Sequence, residues 1–146
     1  MQLPGILMMS VLAFCALASG CATKTSDRDL AFVATAEAEQ LVKGRSGLFG
    51  LGNTHGVWVD PRTEAEYLAG HIPGAIHLPL ERARADHRRL RGYGVLIVYG
   101  NDYNSSVALA MSKTLLELGY ENVRTLRGGL REWQAAGNAV EEGEGG

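Results

Sequence analysis

Val95-Leu-Ile-Val-Tyr-Gly-Asn-Asp-Tyr-Asn-Ser-Ser106 contains three kinds of segment in succession. Residues 95–99 form an unbroken apolar run rich in β-branched side chains. That is the pattern of a strand covered on both faces, hence a central strand of a parallel sheet. Residues 100–105 are polar and lack a period. From there a helix is expected over 105–118, apolar at Val107, Leu109, Ala110, Met111, Leu115 and Leu118, and ended by Gly119. A strand, a short polar loop and a helix in that order make up half of a βαβ unit.

The flanking chain repeats the unit. Residues 31–34 read as a short edge strand, with Thr35 as the N-cap of a helix to about Val42 and Glu37 at its positive end. Residues 57–60 read as a strand that Pro61 ends, because proline cannot donate to the ladder. Thr63 then caps a helix to about Leu68. A turn at 70–74 leads to a strand at 75–78. A last strand at 123–126 precedes Gly128-Gly129, which open a helix carrying Leu130 and Trp133 and ended by Gly137. Short strands alternating with helices give one α/β domain over 31–142, with a mainly parallel central sheet. The connection 44–56 is Gly-rich but holds Leu48, Phe49 and Leu51, so it is expected to tuck those side chains onto the domain.

Composition narrows the function classes. The chain has 146 residues, a formal net charge of −2 and a hydrophobic fraction of 46%. Nothing in that balance suggests a nucleic-acid partner. Residues 3–20 carry no charged side chain and end in Leu17-Ala-Ser-Gly-Cys21, with small residues just before a cysteine. A targeting signal is therefore expected at 1–20. The segment resembles a bacterial lipobox, which implies that Cys21 becomes the lipidated first residue. Residues 21–30 are then the lipid-bearing Cys21 and a polar tether. Ala22 after the cysteine implies an outer-membrane lipoprotein facing the periplasm, with the membrane as partner. An ordinary cleaved signal and an uncleaved anchor are the competing readings. Cys15 and Cys21 are the only cysteines, so removal of one and lipidation of the other leave no free thiol. The Gly-rich tail 143–146 is expected to be disordered.

An ordered set of motifs now carries a resemblance. Val59-Asp-Pro-Arg62, Glu66-Tyr67, Gly70-His-Ile-Pro-Gly-Ala75, Leu118-Gly-Tyr-Glu-Asn-Val123 and Gly128-Gly-Leu-Arg-Glu-Trp133, followed by Ala136-Gly137, resemble the rhodanese-like domain family in order and spacing. The resemblance covers about residues 33–142. It implies a parallel sheet of about five strands with helices on both faces. It also implies an active loop between the central strand and the next helix, outside the carboxyl end of a strand, where sites of open α/β sheets lie. In active members the loop's N–H groups and the helix terminus hold an anion and favour a cysteine persulfide.

The resemblance places the nucleophile at Gly100, which has no side chain to accept sulfur. Ser105 stands where active members often carry an arginine. Asp102 adds a negative charge to a cradle that suits anions, against a dianion such as thiosulfate. Cysteine-dependent phosphatases need the same thiol. Ser105, Ser106 and Tyr103 carry hydroxyls, with His71 and His77 as conceivable bases, but a hydroxyl nucleophile needs an adjacent base. The plainer expectation is that Ser105 or Asn104 caps the helix, that Asp102 accepts loop N–H groups, and that His71 belongs to its turn. Asp60 and Arg62 are expected in the structural frame.

The expected function is therefore a non-catalytic binding or interaction module in the bacterial envelope, with an envelope protein as a possible partner. The candidate anion or ligand loop is Gly100, Asn101, Asp102, Tyr103, Asn104, Ser105 and Ser106. A sulfurtransferase-related or hydrolytic enzyme using a substitute residue, and a small-anion sensor, are the alternatives. No cofactor or metal is expected, since the four histidines show no zinc-like pairing. The five arginines between Arg82 and Arg91 alternate with Asp86 and follow Glu81, which reads as a solvated face before a lipid-facing patch.

Overall fold

The computed structural model describes residues 25–44 and 55–144. Five strands form one parallel sheet: β1 (Phe32–Val33), β2 (Gly56–Asp60), β3 (Ile76–His77), β4 (Val95–Val98) and β5 (Val123–Leu126), in the order β1-β5-β4-β2-β3. The apolar run at 95–98 is thus the middle strand, as its composition requires. The helices are α1 (Thr35–Lys43), α2 (Glu64–Ala69), α3 (Ala83–Asp86), α4 (Ser106–Glu117) and α5 (Gly129–Ala135).

Alternation along the strands divides the core in two. On one face Trp58 and Ile97 join Ala38 of α1, Tyr67 of α2, and Leu130 and Trp133 of α5. On the other, Val57, Val59, Leu96 and Val98 pack with Ala83 of α3 and Met111 and Leu115 of α4. Both faces of the sheet are covered by helices, and every residue of β2 is buried.

Several local expectations change. Thr35 is the first residue of α1 and not its cap; Ala34 holds the cap position with φ −78° and ψ 157° and has no hydroxyl to offer. The Thr35 hydroxyl is buried without a hydrogen-bond partner. Thr63, by contrast, caps α2 in a reciprocal box with Glu66. In α4 Met111 and Leu115 are buried as expected, whereas Ala108 and Ser112 complete the buried stripe and Val107, Leu109 and Ala110 are half-buried. Ser112 enters that stripe because its hydroxyl meets that of Thr125 at 2.8 Å.

The Arg-rich segment is a short α-helix between two 3₁₀ turns, with Ala83 and Leu90 buried. Three of its five arginines have partners: Arg82 pairs with Asp86, Arg84 with Glu117, and Arg89 donates to the His77 carbonyl.

The tail begins as part of the fold. The backbones of Glu141 and His71 exchange two 2.9 Å hydrogen bonds, and the Gly143 N–H reaches the Leu68 carbonyl at 2.8 Å. Leu68 lies in the last turn of α2, so its carbonyl gives Gly143 a partner. The signal, Cys15, Cys21, the apolar residues Leu48, Phe49 and Leu51, and residues 145–146 lie outside the described residues. Among the described residues, no helix is long and apolar enough to cross a membrane.

Candidate functional site at the end of the central strand

β4 delivers Tyr99 and the loop 100–105 to the carboxyl edge of the sheet. Three buried side chains brace that edge. Arg62 donates from Nε and Nη2 to both oxygens of Asp60, the shortest contact being 2.6 Å, and from Nη2 to the Gly70 carbonyl at 2.8 Å. The Tyr99 hydroxyl donates to Asp60 Oδ2 at 2.6 Å and accepts the Ile72 N–H at 3.1 Å. Burial works against the Arg62 charge, but the hydrogen bonds and charge of Asp60 outweigh it and raise the guanidinium pKa. Burial, then the Asp60 carboxylate, push the Tyr99 phenol far above its ordinary value. The expectation of Asp60 and Arg62 as frame residues holds. Tyr99, which reads in sequence as strand alone, joins them to the 70–75 turn.

The frame reaches into the loop through Asn101. Its side-chain oxygen accepts from Arg62 Nη1 at 3.0 Å, and its amide donates to Glu66 Oε1 at 2.7 Å. The Thr63 hydroxyl, then Asn101, hold the Glu66 carboxyl below its ordinary pKa. On the other side the loop leans on α5. The Gly100 and Asn101 carbonyls accept the N–H groups of Leu130 and Arg131 at 2.8 and 3.0 Å. This close approach requires Gly129: a Cβ there would lie 2.4 Å from the Gly100 oxygen, and its φ is +59°.

At Gly100 the decisive feature is steric. A Cβ built there would lie 1.8 Å from Ser105 Oγ and 2.4 Å from Ser105 Cβ. The space a side chain at position 100 would use is filled by Ser105. Ser105 occupies the N-cap position of α4, yet its side chain makes no capping hydrogen bond, because it turns toward Gly100. Asn104 does not cap either; its N–H donates to Asp102 Oδ1 at 3.0 Å, as expected for a carboxylate set among loop amides. Asp102 Oδ2 lies 4.0 Å from the exposed Arg131. Tyr103 is exposed, with its hydroxyl donating to Glu132. Ser106 starts α4 at an exposed position.

Neither conceivable base approaches these hydroxyls by a hydrogen bond. His71 is fully buried, with Nδ1 against the Tyr67 carbonyl, and its ring stacks on Tyr67 at 3.8 Å. His77 Nε2 faces the Arg62 carbonyl, and its ring stacks on Tyr67 at 4.5 Å. Among the described residues, no group of three or more His, Cys, Asp or Glu side chains could hold a metal ion.

The family model for the rhodanese-like domain matches residues 47–136. The chain belongs to the rhodanese-like domain family. Solved relatives share the fold. A thiosulfate sulfurtransferase of Pseudomonas aeruginosa superposes with a TM-score of 0.63 at 23% identity, over 78% of this chain and 20% of that one. A rhodanese-related protein of Thermoplasma volcanium gives 0.60 at 21% identity, over 76% and 97%. Among curated proteins, the Mycobacterium tuberculosis protein named as a thiosulfate sulfurtransferase, SseB, is 31% identical, over 58% of this chain and 37% of its own length. A helix-turn-helix-type transcriptional regulator of the same organism is 35% identical over the same shares. This rhodanese-like chain thus spans little more than a third of the curated relatives it matches.

Proposed function

We propose that this rhodanese-like domain is a binding module without persulfide chemistry, held at a bacterial envelope membrane through Cys21. One observation carries the first part: Ser105 fills the volume in which a side chain at position 100 would stand. A persulfide needs a thiol with access to an anionic donor. Position 100 supplies no sulfur and no room for it. The Asp102 carboxylate, accepting the Asn104 N–H, adds negative charge where thiosulfate would have to approach. The relatives' names as sulfurtransferases support the ancestry of the site and leave its present chemistry to measurement.

The test is thiocyanate formation from thiosulfate and cyanide by protein lacking residues 1–21. We expect background rates. Turnover clearly above background would overturn the reading in favour of an enzyme using a substitute residue. A small-anion sensor working through the loop amides is the weaker alternative, because the N–H groups of Asn104 and Ser105 already donate to Asp102.

The anchoring rests on the small residues before Cys21 and the uncharged run 3–20. Acyl chains on one cysteine would give stable attachment, each buried methylene contributing about 0.8 kcal/mol. Mass analysis of the mature N-terminus is expected to find Cys21 first and acylated. An unmodified Cys21 would refute the anchor.

A further inference from the structure

The loop has a second side, facing β1 and β5. There a cavity of about 210 Å³ is lined by Phe32, Asp102, Tyr103, Ser105, Leu109 and Arg127, among others. Phe32 and Tyr103 are two of the three large hydrophobic side chains left exposed among the described residues. Both rims of the cavity are charged, with opposite signs. The Arg127 guanidinium lies 5.7 Å from the Phe32 ring centroid and makes no ion pair among the described residues. This cation–π contact sets the guanidinium beside the ring and leaves its N–H groups free for a carboxylate. Asp102 is not within ion-pair distance of Arg127. It accepts one backbone N–H and faces Arg131 only at 4.0 Å, which leaves acceptor capacity for an ammonium group.

We propose that this cavity binds a small zwitterion with an apolar side chain, an amino acid of the phenylalanine or leucine kind. The carboxylate would pair with Arg127, the ammonium with Asp102, and the side chain would lie against Phe32, Tyr103 and Leu109. Two opposite charges lining one cavity without pairing with each other favour a ligand that carries both. A simple anion gains Arg127 but meets Asp102, and a simple cation meets the reverse. The other carboxylates nearby are engaged: Glu132 accepts from Tyr103, and Glu39 from Lys43 and Asn138. The volume fits such a ligand and falls below the roughly 300–1,000 Å³ of pockets for drug-sized molecules. Glycine at position 128 permits the arrangement, since a Cβ there would lie 3.0 Å from the Tyr103 ring. The proposal rests on the reading of this domain as a binding module. It fails or holds separately from the loss of sulfur chemistry, which thiocyanate measures.

The test is a titration of the full chain with L-phenylalanine and with L-leucine, following the amide signals of Phe32, Leu109, Arg127 and Gly128. Phenylpropionate, which lacks the amine, and phenethylamine, which lacks the carboxylate, are the comparisons. Saturable shifts are expected with at least one amino acid, and about tenfold weaker binding by each comparison compound. Arg127→Gln and Asp102→Asn should each weaken the amino acid by a similar factor with other signals unmoved. The proposal is overturned if neither amino acid gives saturable shifts, if the comparison compounds bind equally well, or if both variants bind like the parent.

Discussion

Replacing Asp60 by alanine is expected to lower the unfolding free energy by about 3–5 kcal/mol, the usual result of removing one partner of a buried ion pair. Arg62 has only 3% of its side-chain surface exposed and Asp60 none, so the remaining guanidinium could not recover its hydration. The Tyr99 hydroxyl and the Arg62 N–H would lose their acceptor in the same step. Since a typical domain is stable by about 5–15 kcal/mol, this is a large share. Urea unfolding of wild type and Asp60→Ala measures it. A loss under about 1 kcal/mol, the size of an exposed pair, would mean that water reaches this frame.

Tyr99→Phe supplies the graded comparison. It keeps the ring and removes one donated and one accepted hydrogen bond, so a cost of about 1–3 kcal/mol is expected. Its pH dependence has a definite sign. The folded-state pKa of Tyr99 is raised, first by burial and then by Asp60. The stability from Tyr99 is therefore complete below the unfolded value of about 10 and is lost as pH rises beyond it. The difference between wild type and Tyr99→Phe should be constant near neutrality and change only in the alkaline range.

The second large effect concerns Gly100→Cys. The backbone at Gly100 lies outside the left-handed region, so a side chain meets no conformational penalty there. The obstacle is space. Ser105 Cβ, at 2.4 Å from the built Cβ, is fixed to the start of α4 and cannot rotate away as a flexible side-chain end would. Overpacking of this kind costs about 1–3 kcal/mol. Gly100→Cys should therefore destabilise the domain by that amount, and adding Ser105→Gly should restore most of the loss. Additive destabilisation in the double variant would show that the two positions do not share the volume.

These effects mark where the sequence was informative. The parallel sheet, the central place of residues 95–98 and the Thr63 cap follow from local patterns, because apolar runs, proline and capping residues act on their neighbours. The absence of a thiol at Gly100 is equally local. What fills the gap is not: Ser105 looks like a helix cap in sequence, and only the path of the loop turns it toward Gly100. Tyr99 and Asn101 lie 39 residues from Asp60 and Arg62, and no local pattern announces those bonds. In α4 Met111 and Leu115 are legible as core, but Ser112 is not, because its burial depends on a bond to the distant Thr125. Gly143 looked free because its partner, the Leu68 carbonyl, comes from a different part of the chain.

The most direct test of the filled cradle is the intact mass of the Gly100→Cys protein lacking residues 1–21, after incubation with thiosulfate. The introduced thiol is then the only one in the chain. An unchanged mass is predicted, since Ser105 and Asp102 deny the donor its place. A product heavier by one sulfur atom, releasing thiocyanate on addition of cyanide, would show an intact cradle and contradict the account.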